Sequence, residues 1–133
     1  MIINMENEFI PYELALALKE LGFDEPCFCY WYTQQGSFPS IRTKDIQFNG
    51  WKNYPDSNTV APLYQQAFRW FREVHKINPQ IAFCEYSIES ENSWKFTFDN
   101  PTKRQFWQGE FDNYEEAELE CLKKLIEITK NGK

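Results

Sequence analysis

Residues 80–98 read QIAFCEYSIESENSWKFTF, and this stretch decides the fold. The runs 80–89 and 93–98 alternate between apolar and polar residues with a period of two, which is typical of β-strands. The link Ser90-Glu91-Asn92 is short enough for a hairpin, so the two strands are expected to pair antiparallel. Strands joined by hairpins rather than by long crossovers favour an antiparallel sheet in an α+β protein.

Amphipathic segments lie on both sides of this hairpin. Apolar residues recur at helical spacing in three segments, and these predict helices over 11–21, about 60–76 and 113–130. Pro11 suits a first helical turn, Gly22 suits a left-handed helix end, and Thr59 and Asn113 are the predicted N-caps. The residues expected to be mostly buried are Leu14, Leu18, Leu21, Phe68, Phe71, Val74, Leu122 and Leu125.

The remaining elements are shorter. Extended segments are predicted at 27–33, at 38–48 and, as a fifth short strand, at 104–110. Asn49-Gly50 opens a predicted surface loop over 49–58. At 133 residues the chain has the length of one domain. We therefore predict a single α+β domain over residues 1–133, with an antiparallel sheet of four to five strands packed by three helices in the order α-β-β-α-β-β-(β)-α.

The charge pattern disfavours non-specific binding to duplex nucleic acid, because the net charge is −6. Residues 1–26 and 110–127 each carry a net charge of −5, whereas residues 27–109 carry +2. The chain starts without the basic and apolar runs of a signal peptide, and no stretch has the roughly 20 apolar residues of a membrane span. We therefore expect a cytoplasmic protein with no membrane partner, whose cysteines are reduced.

Three segments carry a resemblance to a known family. They are PYELALALKELGFDEPCF (11–28), APLYQQAFRWFREVH (61–75) and YEEAELECLKKLIEI (114–128), together about a third of the chain. The chain resembles a family of small uncharacterised proteins encoded in Bacteroidetes genomes and in their phages and other mobile elements. The resemblance implies a cytoplasmic protein of phage or mobile-element origin, and it implies no activity, cofactor or catalytic residue.

Motifs for enzymatic chemistry are absent from the sequence. The five glycines are far apart, which excludes a P-loop and a G-x-G-x-x-G turn. Cys27, Cys29, Cys84 and His75 offer four zinc ligands, but Cys27 and Cys29 are separated by one residue where zinc sites use two to four. Buried cysteine is common in protein cores. We therefore expect Cys121 and the other three thiols to be free, with no metal, no cofactor and no catalytic residue.

The aromatic content of 18% is the strongest functional signal. Trp and Tyr dominate interface hot spots, so we expect a non-enzymatic protein-binding or adaptor protein whose partner is a host protein or, as a homodimer, a second copy. The aromatic residues that exceed the needs of a core are Tyr30, Trp31, Tyr32, Trp51, Trp94 and Trp107.

Two other functions stay open. One is binding of a nucleotide or single-stranded nucleic acid, with aromatic rings stacking on bases. The positive charges for it are Arg42, Lys44, Lys52, Arg69 and Arg72. The other is a small-molecule enzyme, which is the least favoured of the three functions because the sequence contains no recognisable catalytic motif. A contiguous exposed aromatic patch would favour protein binding, and a groove where aromatic and basic residues converge would favour nucleic acid.

The loop 49–58 is the candidate binding surface. Trp51, Lys52 and Tyr54 lie within four residues of each other, and loops of this composition serve recognition. The competing interpretation is that Trp51 folds back over the sheet edge. Replacing Trp51 with Ala separates the two, because loss of a core aromatic side chain costs about 3–5 kcal/mol of stability and loss of a recognition residue does not.

Overall fold

The structure is a computed structural model that describes residues 5–32, 40–42, 59–84, 93–100, 103–104 and 108–131. After a short 3₁₀ turn at Met5–Glu8, the elements are α1 (Tyr12–Glu20), β1 (Cys29–Tyr32), β2 (Ser40–Arg42), β3 (Thr59–Ala61), α2 (Tyr64–Val74), β4 (Asn78–Cys84), β5 (Ser93–Asn100), β6 (Lys103–Arg104), β7 (Gln108–Phe111) and α3 (Tyr114–Asn131). The chain divides into two compact units, Met1–Ala67 and Phe68–Lys133.

The predicted α+β class, with three helices and antiparallel strand pairing, is confirmed. The strands form two sheets, however, where one sheet of four to five strands was predicted. A three-stranded sheet has the order β2-β1-β3, and a four-stranded sheet has the order β4-β5-β6 with β7 also paired to β5. The prediction of one domain over residues 1–133 stays a prediction.

The start of α2 differs from the prediction, because the segment before Tyr64 is a strand. Thr59 is not an N-cap: it is buried in β3 and pairs with β1. Two effects favour the strand. Thr59 and Val60 are β-branched, and Pro62 disfavours a helical conformation for Ala61. The predicted fifth strand at 104–110 is described in two parts, β6 and β7, and residues 105–107 lie outside the described residues.

Trp31 anchors the core of the first unit. Its side chain is buried, and its indole N–H donates a hydrogen bond to the carbonyl oxygen of Ile10 at 2.9 Å. The ring of Tyr12 meets the Trp31 ring edge-on, with centroids 6.2 Å apart. Trp31 is therefore a core residue. The prediction that it is one of the aromatic residues left over for an interface is wrong.

The end of α1 confirms the prediction made for Gly22. Gly22 has φ 102°, its N–H donates to the carbonyl oxygen of Lys19, and the N–H of Phe23 donates to that of Leu18. This pair of hydrogen bonds is the Schellman motif. Phe23 and Leu18 are both buried, so the turn that ends the helix also contributes to the core.

In the second unit, α3 packs against β4, β5 and β7. The predicted cap at its start is confirmed, since the N–H of Glu116 donates to the side-chain oxygen of Asn113 at 2.8 Å. The buried residues of α3 are Ala117, Cys121, Leu122, Leu125, Ile126 and Thr129. Phe96 and Phe98 of β5 are buried too.

Seven of the eight predicted core residues are buried or partly buried. Leu18, Phe68, Phe71, Leu122 and Leu125 are buried, and Leu14 and Leu21 are partly buried. Val74 is the exception at 55% exposed. It is the last residue of α2, after which Lys76 turns the chain with φ 60° and Ile77 is buried instead. The N–H of Ile77 closes this turn on the carbonyl oxygen of Phe71.

Candidate functional site

The predicted binding loop lies outside the described residues. Trp51, Lys52 and Tyr54 belong to it, so its role stays a prediction. Of the other aromatic residues in the predicted excess, Trp107 and the Tyr32 side chain also lie outside the described part of the chain, and Tyr30 is partly exposed.

A row of three aromatic side chains lies along one end of the four-stranded sheet. The ring centroids of Phe83 and Trp94 are 5.4 Å apart with the planes inclined at 58°, and those of Trp94 and Tyr114 are 5.3 Å apart at 88°. Phe83 is 46% exposed, and Trp94 and Tyr114 are partly exposed. We call Phe83, Trp94 and Tyr114 the aromatic row.

Strand register creates the first half of the row. Phe83 of β4 is the direct antiparallel partner of Trp94 of β5, and directly opposed side chains lie on the same face of a sheet. Within the described residues, β4 pairs only with β5, so Phe83 lies on an edge strand. The row therefore starts at the edge of the sheet.

The helix α3 supplies the second half. Tyr114 is its first residue and directly follows the capping residue Asn113. Because α3 packs against β5, its first turn brings the Tyr114 ring onto Trp94. The helix cap, the strand register and the packing of α3 on β5 thus place three rings from three elements together.

Phe111 of β7 supports the row from the other neighbouring strand. It is the strand partner of Trp94, and its ring stacks on Phe96 with centroids 6.0 Å apart and planes at 20°. The register shifts between the Trp94 and Phe96 pairs, where Gly109 has φ 85°. A Cβ atom at Gly109 would collide with the Phe111 ring, so glycine is required at this bulge.

The residues that flank Tyr114 in the chain are acidic. Asp112, Glu115 and Glu116 are exposed on either side of Tyr114 in the chain. The closest lysine that follows on α3 is Lys123, whose ammonium is 3.1 Å from the carboxylate of Glu120. Lys95 neighbours Trp94 in β5 and so lies on the opposite face, 3.9 Å from Glu110.

The buried Cys27 and Cys121 thiols are poor nucleophiles. Burial raises the pKa of the Cys27 thiol to about 12; a hydrogen bond with Gln66 opposes this shift, and the nearby Glu25 adds to it. Burial also raises the pKa of Cys121, with a smaller contribution from Glu118. Cys27, Cys29 and Cys121 form no disulfide bond in the structure, and the Cys84 side chain lies outside the described residues. Nucleophilic attack needs the thiolate, which is scarce at neutral pH for such groups.

His75 is part of an aromatic cluster. Its ring centroid is 4.8 Å from that of Trp70 and 5.7 Å from that of Phe71. The zinc set considered from the sequence joins His75 to three cysteines. In the part of the chain that the structure describes, no three or more His, Cys, Asp or Glu side chains are placed to hold a metal ion.

The structure describes only some of the cationic residues that were considered for binding nucleic acid. Arg69 and Arg72 are exposed, one helical turn apart on α2. Arg42 is described only as a backbone position in β2, and Lys44 and Lys52 lie outside the described residues. Trp70 and Phe71 lie between the two arginines in the chain, and both side chains are buried.

Sequence reasoning named Trp94 but missed Phe83 and Tyr114. The signal for Phe83 was present: period-two alternation places it on the side of Glu85 and Ser87, the polar side of the predicted strand. A phenylalanine on a polar face indicates either a covered edge or a contact surface. Tyr114 carried no such signal, because its position depends on how α3 packs on the sheet.

Comparisons with known proteins add no relative. No protein-family model matches the chain, and no match was found among curated proteins or solved structures. The resemblance to the Bacteroidetes and phage proteins therefore stays a prediction. None of the helices in the described ranges is long and apolar enough to cross a membrane.

Proposed function

We propose that this chain is a non-enzymatic protein-binding module and that the aromatic row contacts its partner. The observation that carries this proposal is the exposed Phe83 ring on an edge strand, which contacts the partly exposed Trp94 ring, which in turn contacts the partly exposed Tyr114 ring. Such rings supply a large contact area at a low cost in conformational entropy and dominate binding hot spots. Covering the exposed part of Phe83 alone contributes roughly 2 kcal/mol at 25 cal/mol per Å².

The edge strand strengthens the proposal. Edge strands are usually protected from unwanted pairing by charged residues, and the segment Asn78–Cys84 carries none. Its Pro79 lies near the start of the strand, far from Phe83. A strand that carries the exposed Phe83 and no charged side chain suits contact with an apolar surface of a partner.

The setting we propose is the cytoplasm, in an accessory or adaptor protein of phage or mobile-element origin. The resemblance of residues 61–75 and of the two other segments supports the origin. The reduced state of Cys27, Cys29 and Cys121 suits a reducing compartment. The raised thiol pKa values favour a binding protein over a cysteine-dependent enzyme.

Site-specific photo-crosslinking in a Bacteroidetes host tests the proposal. Benzoylphenylalanine replaces Phe83 in one variant and Val74 in a matched control, because both side chains are apolar and about half exposed. We expect a discrete crosslinked protein from position 83 but not from position 74. Mass spectrometry of the crosslinked band identifies the partner.

A companion variant connects the crosslink to the row. Trp94→Ala removes the central ring, and with the photo-crosslinker at position 83 it should reduce the crosslinked band at least fivefold. Circular dichroism verifies that this variant is folded. Equal crosslinking from positions 74 and 83, or an unchanged band in Trp94→Ala, contradicts the proposal.

Binding of single-stranded nucleic acid is the second candidate. Arg69 and Arg72 favour it, because two exposed guanidinium groups one turn apart match a phosphate backbone. Base stacking is less well supported, since Trp70 and Phe71 are buried on the other side of α2. Replacing both arginines with Gln should abolish binding of single-stranded DNA if this candidate is correct.

A further inference from the structure

The exposed face of α2 carries positive charge in a chain whose net charge is −6. Residues 64–77 contain three cations, Arg69, Arg72 and Lys76, and one carboxylate, Glu73. Residues three or four positions apart on a helix are neighbours on one face, so Arg69 and Arg72 lie side by side, and both are exposed. We call Arg69, Arg72 and Lys76 the cationic face.

A hydrogen bond places Lys76 at the same end of the helix as Arg72. Its ammonium donates to the carbonyl oxygen of Glu73 at 2.8 Å, and Glu73 directly follows Arg72 in the last turn of α2. The three cations therefore lie within roughly 10 Å along the helix axis. In the part of the chain that the structure describes, no carboxylate forms an ion pair with Arg72 or Lys76. By contrast, Lys123 and Lys124 of α3 each pair with a glutamate.

Lys76 keeps its position at a conformational cost. Its φ of 60° is left-handed, a conformation that suits glycine better than a residue with a Cβ atom. The helix dipole favours a cation in the last turn, but Arg72 already supplies one there. The dipole therefore does not explain why a lysine follows the helix where glycine is usual. A strained residue of this kind indicates a functional position.

We infer that the cationic face binds a short acidic segment of another protein. An arginine guanidinium matches a carboxylate through two parallel hydrogen bonds, and a lysine ammonium attracts a carboxylate as a point charge. This surface is separate from the residues of the aromatic row, so the inference goes beyond the proposed function and does not depend on it.

The same face favours an acidic protein segment over single-stranded nucleic acid. Base stacking needs exposed rings, and Trp70 and Phe71, which lie between the two arginines in the chain, are buried. A nucleic acid strand longer than the cationic face would also extend into the field of a chain with a net charge of −6. A short segment with a few carboxylates meets the cations alone.

Fluorescence polarisation with two labelled ten-residue peptides tests the charge requirement. One peptide alternates Glu with Ser, and the other alternates Gln with Ser. The reference peptide is neutral because the net charge of the chain would attract any basic peptide. We expect the full chain to bind the Glu–Ser peptide and not the Gln–Ser peptide. Equal binding of the two peptides, or no binding of the Glu–Ser peptide, overturns the inference.

Two double variants separate local charge from total charge. Arg72→Gln with Lys76→Gln removes two charges from the cationic face. Lys123→Gln with Lys130→Gln makes the same change of net charge at exposed positions of α3. The first pair should weaken binding of the Glu–Ser peptide about fivefold, and the second less than twofold. Equal weakening by the two pairs overturns the inference.

Variants of Lys76 separate binding from stability. Lys76→Gly relieves the left-handed conformation and removes the charge, so it should weaken peptide binding about threefold without any loss of stability. Lys76→Arg keeps the charge and should keep the binding. Unchanged binding in Lys76→Gly, or an equal loss in both variants, overturns the role of Lys76 and with it the inference.

Two further measurements exclude other partners and other surfaces. If a labelled ten-nucleotide single-stranded DNA binds more tightly than the Glu–Ser peptide and depends equally on Arg72 and Lys76, nucleic acid is the partner and the inference is overturned. Phe83→Ser should leave binding of the Glu–Ser peptide unchanged. A loss of binding in this variant would place the peptide at the aromatic row and overturn the inference while leaving the proposed function intact. Circular dichroism checks that each variant is folded.

Discussion

Lys76 has a backbone conformation that suits glycine better than lysine. Its φ of 60° is left-handed, and Lys76→Gly removes a steric cost of about 1 kcal/mol between Cβ and the backbone. The exposed side chain donates a hydrogen bond to the carbonyl oxygen of Glu73, which offsets part of that gain. We expect Lys76→Gly to raise the free energy of unfolding by roughly 0.5–1 kcal/mol, measured by urea denaturation.

Lys76→Ala is the control for this prediction. It removes the same hydrogen bond and keeps the Cβ atom, so it should be no more stable than the wild type. If Lys76→Gly proves no more stable than Lys76→Ala, the left-handed conformation is not a source of strain.

The buried Cys27 thiol predicts a loss of stability at high pH. Its folded pKa is raised to about 12 by burial, whereas an unfolded thiol ionises near pH 8.5. Between these values the unfolded chain loses a proton that the folded chain keeps, so the contribution is complete below pH 8.5 and decreases as pH rises. The slope is at most about 1.4 kcal/mol per pH unit for one thiol.

Comparing the wild type with Cys27→Ala isolates this contribution from the titration of lysine and tyrosine. Urea denaturation at pH 8, 9 and 10 should show the wild type losing stability faster than Cys27→Ala. Parallel pH profiles would contradict the prediction. In denaturant without reductant, a thiol assay should also find four reactive groups per chain, because all four cysteines are expected to be reduced.

At the scale of the elements, the start of α3 couples stability to the aromatic row. Asn113→Ala removes the side-chain oxygen that accepts from the N–H of Glu116, which costs about 1 kcal/mol. Fraying of this turn would also loosen Tyr114 from Trp94. We therefore expect Asn113→Ala to lower the free energy of unfolding by about 1 kcal/mol and to weaken any ligand of the row.

Asn113→Ser provides the control, since Ser is also a good cap. It should restore most of the stability and the binding. Loss of binding in Asn113→Ala at unchanged stability would mean that Asn113 contacts the ligand directly and does not act through the helix start.

Elements with local signals could be predicted from the sequence, and elements fixed by distant contacts could not. The cap at Asn113 and the left-handed Gly22 each act within a few residues, and both are confirmed. The predicted strands at 80–89 and 93–98 pair antiparallel over the described residues 80–84 and 93–98, while the predicted link 90–92 lies outside the described residues. The strand at Thr59 was missed because a helical pattern extended across Pro62. The division of strands between two sheets depends on long-range pairing, which no local pattern specifies.

The candidate site, too, could be predicted from the sequence only in part. Trp94 was named among the excess aromatic residues from composition alone, but its neighbours Phe83 and Tyr114 come from an edge strand and a helix start. Their proximity follows from strand register and from the packing of α3 on β5. The sequence-based candidate, the loop with Trp51, lies outside the described residues and stays a separate prediction.

At the scale of the whole molecule, net charge predicts how a homodimer of this chain responds to salt. Two copies of the chain, each with a charge of −6, repel each other, and salt screens that repulsion. The homodimer expected from the sequence, paired through the row or a sheet edge, should therefore become more populated as salt rises.

Light scattering at 50 and 500 mM NaCl measures this trend. We expect any dimer to increase between these two conditions and to be abolished by Phe83→Ser, because that change removes the exposed ring of the row. A mass of 16.0 kDa at tens of micromolar protein in both salts would remove the homodimer.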